Sequence, residues 1–215
     1  MYRISLIAPP GGGKGTQAEL ICAKLKIPHL STGEVFRDII KGEYAGKYPV
    51  KKILPFMKNG KLVPDDIVVD VLKDQLNYID KKNGFLLDGF PRNIHQAELF
   101  DFKNYDKINT VVFMNVEEQL LLKRLTGRRI CPECGKIYNV YYSPSRDGDK
   151  CENDGFVLSM RDDDQENTVK ERLKVYHQET EPLVRYYNEL GVLRNIDGGM
   201  DKDKVFTQIM EVIEA

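Results

Sequence analysis

The sequence predicts an α/β fold, a parallel five-stranded sheet with helices on both faces, carrying one small helical insertion and one β-rich insertion. Three observations point there. Residues 2–31 run apolar segment, glycine-rich turn, helix-like segment and second apolar segment, the order of a βαβ unit with parallel strands. Phe85-Leu86-Leu87 and Val111-Val112-Phe113-Met114 are apolar at consecutive positions, as strands covered on both faces are. Residues 127–164 then break the alternation of strand and helix with cysteines, glycines and tyrosines, the composition of an inserted hairpin lobe.

Taken in order, Tyr2–Ile7 reads as the first strand and residues 16–26 as a helix whose Leu20, Ile21, Ala23 and Leu25 can face inward. Residues 28–31 form a short second extended piece. Residues 41–64 hold three prolines, several glycines and little periodicity, the profile of a small lobe of short helices and loops. Asp65, after Pro64, is expected to cap a helix with the apolar stripe Ile67, Val68, Val71, Leu72 and Leu76. Residues 85–88 and 111–114 are the next strands, and 117–125 a helix. The pattern from 164 to 190 is helical, with Pro182 starting a second helix or kinking the first. Residues 192–196 give the last strand. A final helix spans 201–213, with Val205, Ile209 and Ile213 four apart.

Composition removes several functions. The 215 residues are 41% hydrophobic and 30% charged, an ordinary globular balance. Lys plus Arg number 32 against 33 Asp plus Glu, so no overall field attracts a polyanion, and nucleic acid is not an expected partner. The longest apolar runs fall far short of a membrane-spanning helix, and the chain enters a core strand without a signal-peptide pattern. No membrane association and a cytoplasmic location are expected. Four cysteines in such a protein suggest metal ligands or isolated thiols rather than disulfides, and Cys22, on the first helix, is expected to be a small buried apolar residue.

Pro9-Pro10-Gly11-Gly12-Gly13-Lys14-Gly15-Thr16 lies between the first strand and the first helix. Consecutive glycines let several backbone N–H groups face one anion, Lys14 adds a point charge, and the helix adds the positive end of its dipole. That is a phosphate cradle. It departs from the general P-loop pattern, because Ala8 holds the first glycine position and Gly15 separates Lys14 from Thr16. Asp88 ends a strand beside Gly89, where a parallel sheet presents side chains to its ligand crevice, and a carboxylate there can hold magnesium directly or through water. Arg37, Arg92, Arg124, Arg128, Arg161 and Arg172 suit bidentate clamping of phosphoryl oxygens.

Cys131-Pro132-Glu133-Cys134 is followed, after sixteen residues, by Cys151-Glu152-Asn153-Asp154. Two pairs, each with two residues between the members, give a Cys3Asp set with plausible ligands for a tetrahedral zinc. No general base accompanies them, so the zinc is expected to be structural.

Leu30-Ser31-Thr32-Gly33-Glu34, Leu87-Asp88-Gly89-Phe90-Pro91-Arg92 with Gln96-Ala97, Leu125-Thr126-Gly127-Arg128-Arg129, and Arg161-Asp162-Asp163-Asp164 with Arg172-Leu173 follow one another in the order of adenylate kinase signatures. The chain resembles that family from Ile4 to its last helix. The insertion at 127–164 is similar to the lid of the long-form enzymes, and its cysteine pattern to their zinc-bearing subset. The resemblance implies reversible transfer of the terminal phosphoryl group of Mg-ATP to AMP, giving two ADP, by a monomer whose partners are small-molecule nucleotides.

It further implies a core of residues 1–31, 65–126 and 165–215, an AMP-binding insertion at 32–64 and a zinc-bearing lid at 127–164. Gly11, Gly12, Gly13, Lys14, Gly15 and Thr16 would cradle the ATP phosphates, Arg124 would stack on the ATP base, and Tyr138 would border ATP. Thr32, Arg37, Gly89, Arg92 and Gln96 would bind AMP, with Thr32 and Gln96 near its adenine. Arg128, Arg161 and Arg172 would converge on the phosphates as the lid closes, the last two also serving AMP, while Asp88 organises Mg2+. Gly33 and Gly127 would act near hinges. Related kinases using GTP with AMP, or phosphorylating UMP or CMP, are the alternative within the same chemistry.

Overall fold

A computed structural model describes residues 1–44, 46–103 and 107–214. The chain opens with β1 (Tyr2–Ile7), α1 (Lys14–Leu25) and β2 (His29–Ser31), then α2 (Thr32–Lys41), α3 (Val50–Lys58) and α4 (Asp65–Tyr78). It continues through β3 (Gly84–Asp88), α5 (Ile94–Lys103), β4 (Thr110–Asn115) and α6 (Glu118–Thr126). A small antiparallel pair follows, β5 (Arg128–Ile130) with β6 (Ile137–Asn139). The chain closes with α7 (Glu166–Val175), α8 (Pro182–Glu189), β7 (Leu193–Asp197) and α9 (Lys202–Glu214).

The main sheet has the order β2-β3-β1-β4-β7, and every pairing in it is parallel. Alternation along β1 sends Ile4 and Leu6 into one core and Ile7 into another. The Ile4 side packs on α1 and α9 through Ile21, Ile209 and Met210. The Ile7 side packs on α4, α5 and α8 through Val69, Leu72, Phe100 and Leu183. Helices therefore cover both faces, which is why β3 and β4 are apolar along most of their length. Two chain crossings meet beside β1, one toward β3 and one toward β4, so the crevice beyond its carboxyl end is where a ligand site is expected.

Several elements differ from expectation. α1 starts at Lys14, two residues early, because Gly13 at φ 88° turns the loop directly into the helix. Residues 32–41, inside the insertion expected to be helical, form a regular amphipathic helix that buries Phe36 and Ile39. Asp65 does not cap α4. Pro64 precedes the helix without a side-chain cap, and the Asp65 carboxylate accepts hydrogen bonds from Asn93 Nδ2 (3.1 Å) and Gln96 Nε2 (2.8 Å) and meets His95 Nδ1 at 2.9 Å. The helical stretch after residue 164 is two α-helices joined by a π-turn over Tyr176–Thr180, and Pro182 sits in the first turn of α8, where its missing N–H costs nothing.

Candidate functional site

The loop 8–16 lies at the carboxyl end of β1, and Lys14 Nζ donates back to Ala8 O (2.8 Å) and Pro9 O (3.1 Å). An ammonium has three donors, so one stays free for a ligand. Burial lowers the Lys14 pKa to about 8, with Asp88 opposing and Arg92 and Arg172 adding to the shift. Ala8 is buried beneath the loop with its methyl turned toward Gly12, where an added Cβ would come within 2.7 Å of it. The Ala8 methyl thus takes up space that only a glycine at position 12 leaves open.

Asp88 ends β3, buried against the loop, with its Oδ2 3.6 Å from His29 Nε2. Burial acts to raise its pKa, but His29, Lys14 and Arg92 outweigh that and hold it below the usual carboxylate value. The same carboxylate, with Glu34 and Glu19, raises the His29 pKa against burial, the largest single influence on that imidazole. Nearby, Arg92 Nε and Thr32 Oγ1 both donate to Gly89 O, at 2.9 Å each.

The arginines converge from separate segments of the chain: Arg37 from α2, Arg92 from the stretch after β3, Arg128 from β5, Arg161 from the stretch before α7 and Arg172 from α7. Burial, reinforced by Arg172, lowers Arg92 to about 10; burial, with Arg37 and Arg128, lowers Arg161 to about 10. Buried guanidinium groups that depress one another are stabilised by an arriving anion. Arg161 Nε is buried without a hydrogen-bond partner among the described residues. Asp164, whose side chain is fully buried, accepts from both Arg128 Nε (2.7 Å) and Arg128 Nη2, and from Arg172 Nη1 at 3.1 Å. Asp163 Oδ2 takes Arg172 at 3.0 Å. These two aspartates fix the arginine forks, a role the sequence reading did not assign them. Their signal was the run Asp162-Asp163-Asp164 directly after Arg161 and eight to ten residues before Arg172.

These groups line one cleft of about 1050 Å³, at the upper end for a small-molecule site. Gly11, Gly12, Gly13, Lys14, Gly15, Thr16, Arg37, Asp88, Gly89, Arg92, Arg124, Arg128, Tyr138, Arg161 and Arg172 are all on its wall. Arg124 is held there by donation to Gly198 O (3.2 Å). Thr32 and Gln96 are not on it. Thr32 lines a separate small cavity, and the Gln96 amide, 1% exposed, accepts from Arg92 N (2.8 Å) and donates to Asp65. Tyr138 reaches the cleft, but its hydroxyl is engaged elsewhere, accepting from Glu152 N (2.9 Å) and touching Cys151 Sγ (3.4 Å). Gly33 lies in α2. Gly127, at φ −81°, is packed so closely that an added Cβ would meet the Tyr141 ring at 2.5 Å. Cys22 is buried beside α9, and burial pushes its thiol up to about 12.

Cys131, Cys134, Cys151 and Asp154 place one ligand atom each within 4.8 Å of all the others. Cys134 Sγ and Cys151 Sγ are 3.6 Å apart, and Cys131 Sγ lies 3.3 Å from Asp154 Oδ2. A tetrahedron built on zinc bonds of about 2.3 Å to sulfur and 2.0 Å to oxygen has edges of roughly 3.5–3.8 Å, so the four donors fit one ion. Backbone N–H groups of Cys134 and Asn153 approach Cys131 Sγ and Cys151 Sγ at 3.5 Å, the support that thiolate ligands receive in two facing knuckles.

Comparison with known proteins agrees with this geometry. Residues 6–192 match the family model for adenylate kinase. The chain is 44% identical over 214 residues to the adenylate kinase of Clostridium acetobutylicum, covering 98% of each chain. It is 43% identical over 216 residues to that of Syntrophomonas wolfei, covering 99% of each. Against that of Thermotoga neapolitana it is 42% identical over 216 residues, with 99% of this chain and 97% of the relative covered. A phosphate loop, a buried carboxylate and converging arginines in one cleft, with such relatives along the whole chain, place it in the adenylate kinase family of phosphotransferases.

Proposed function

We propose that the protein catalyses reversible transfer of the γ-phosphoryl group of Mg-ATP to AMP, giving two ADP. The observation that carries this reading is the single cleft in which Lys14, Arg37, Arg92, Arg128, Arg161 and Arg172 face one another, far more positive charge than one phosphate needs. Two nucleotides that meet phosphate to phosphate match it. The acceptor phosphate oxygen bonds to the γ-phosphorus while the bond from that phosphorus to the β–γ bridging oxygen breaks. The acceptor oxygen is already anionic, so no general base is required.

In this reading loop 11–16 holds the donor phosphates, and Arg37 and Arg92 hold the acceptor phosphate. Arg128, Arg161 and Arg172 neutralise the charge that spreads over the transferred group. Asp163 and Asp164 position those arginines before substrate arrives. Magnesium, when bound with ATP, would neutralise phosphate charge, and Asp88 is the residue that would hold it or its waters. Residues 32–64 and 127–164 serve as the acceptor-binding and lid lobes, closing over the core to exclude water that would otherwise hydrolyse ATP. Zinc at Cys131, Cys134, Cys151 and Asp154 braces the lid without touching substrate.

A bisubstrate analogue, two adenosines joined through a polyphosphate, tests the pairing of sites. Calorimetry is expected to give one analogue bound per chain, more tightly than ATP or AMP alone. Binding no tighter than that of ATP contradicts the reading. Competition by guanine- or pyrimidine-nucleotide analogues shows whether another base is preferred.

A further inference from the structure

The turn joining α2 to α3 is fastened to α4 by side chains that take no part in the phosphate chemistry. Lys47 Nζ donates to Asp74 Oδ2 (2.6 Å) and to Tyr78 OH (3.2 Å), and lies 4.9 Å from the Tyr78 ring centroid. Tyr48 OH donates to the same Asp74 oxygen at 2.5 Å. Tyr44 OH donates to Gln75 Oε1, and Gln75 Nε2 donates to Tyr48 OH, both at 3.3 Å. The Tyr44 and Tyr48 rings meet edge to face, with centroids 5.4 Å apart. An exposed ion pair such as Lys47–Asp74 contributes little by itself. What distinguishes this network is that it grips both ends of one amide.

That amide also belongs to a second environment. Gln75 lines a cavity of about 10 Å³ with Thr32, Phe36, Val68 and Leu72, space for about one water. Thr32 is held in turn by its bond to Gly89 O at the edge of the main cleft. Tyr44 and Tyr48 therefore set the orientation of a polar group on the far wall of the cavity behind Thr32. We propose that Tyr44, Tyr48 and Gln75 form a positioning set for the acceptor nucleoside: the two hydroxyls fix the Gln75 amide, and the amide fixes the shape and polarity of the pocket wall beside the acceptor base. This rests on the acceptor site proposed above, and makes acceptor affinity depend on residues that touch no phosphate.

Steady-state kinetics with each substrate varied separately, together with thermal melts, tests it. Tyr48→Phe removes the acceptor for Gln75 Nε2, and is expected to raise KM for AMP about two- to tenfold, the scale of one net hydrogen bond. KM for ATP and kcat should stay within about twofold, since no donor-site contact is lost. Lys47→Met leaves both Gln75 partners in place. It is expected to change the melting temperature little and to move KM for AMP less than Tyr48→Phe does. Tyr44→Phe, which removes only the donor to Gln75 Oε1, gives the same readout should Tyr48→Phe fold poorly. A fall in melting temperature with KM for AMP unchanged in both tyrosine variants overturns the proposal and leaves a purely structural latch. Failure of the wild-type protein to consume AMP at all contradicts the acceptor site itself and is seen before any variant is made.

Discussion

Lys14 shows how burial acts oppositely on binding and on stability. Between about pH 8 and its ordinary value of 10.5, the unfolded chain keeps the Lys14 proton and the folded chain does not. Stability attributable to this residue therefore rises with pH across that window, and its penalty is fully present below about 8. Binding runs the other way, because the phosphates need the charge, so kcat/KM for ATP is expected to fall above about pH 8. Lys14→Met should lower turnover ~100- to 1000-fold. Its melting temperature at pH 7 should equal or exceed the wild type's, a result that separates lost chemistry from lost folding. Asp164→Ala should do both kinds of damage. It leaves Arg128 and Arg172 without their shared buried acceptor, at a cost of about 3–5 kcal/mol in denaturant unfolding, and turnover falls because the forks lose their orientation. Lys14 and Asp88 were legible in the sequence because glycines and an apolar strand frame them. Asp164 was not, since three aspartates before a helix read equally well as a solvated first turn, and only the fold shows one of them buried against two arginines.

At the scale of elements, the phosphate loop and the cysteine knuckles each carry a separable test. Gly12→Ala would set a Cβ 2.7 Å from the Ala8 methyl and 2.9 Å from Pro9 O. The loop must shift, so KM for ATP is expected to rise. Adding Ala8→Gly, which restores the space but not the clearance from Pro9 O, should recover part of the loss in the same assay. Stripping metal with a strong chelator, or Cys134→Ser, is expected to lower the melting temperature while leaving a folded core with residual activity. Elemental analysis of untreated protein should give one zinc per chain. Strands were the most legible elements, because full burial on both faces writes continuous apolar runs at 85–87 and 111–114. Helix ends were less so. Asp65 looked like a cap from its place after Pro64, but Asn93, His95 and Gln96, some thirty residues away, compete for the same carboxylate. α2 falls in the insertion expected to be helical, and its inward face carries Thr32, Phe36 and Ile39 at helical spacing.

For the whole molecule, the cleft brings together residues from loop 8–16 through α7, more than 150 positions apart in sequence. The glycine loop, Lys14 and the arginines that line the cleft were legible as types, because anion chemistry limits the choice to glycine loops, lysine and arginine. Residues for a base carry a weaker sequence signal, because adenine is recognised by shape and by a few neutral groups that many folds place for other reasons; Thr32 lines a small cavity beside the main cleft, and Gln96 is buried with its amide bonded to Arg92 N and Asp65. The central claim is transfer between two nucleotides in one cleft, and ADP formation by the purified protein with ATP, AMP and magnesium tests it most directly. Two ADP formed per AMP consumed, negligible ATP loss without AMP, and near-abolition of ADP formation in Lys14→Met are the expected results. ATP consumption that proceeds equally well without AMP, or no ADP formed from the complete mixture, would contradict it.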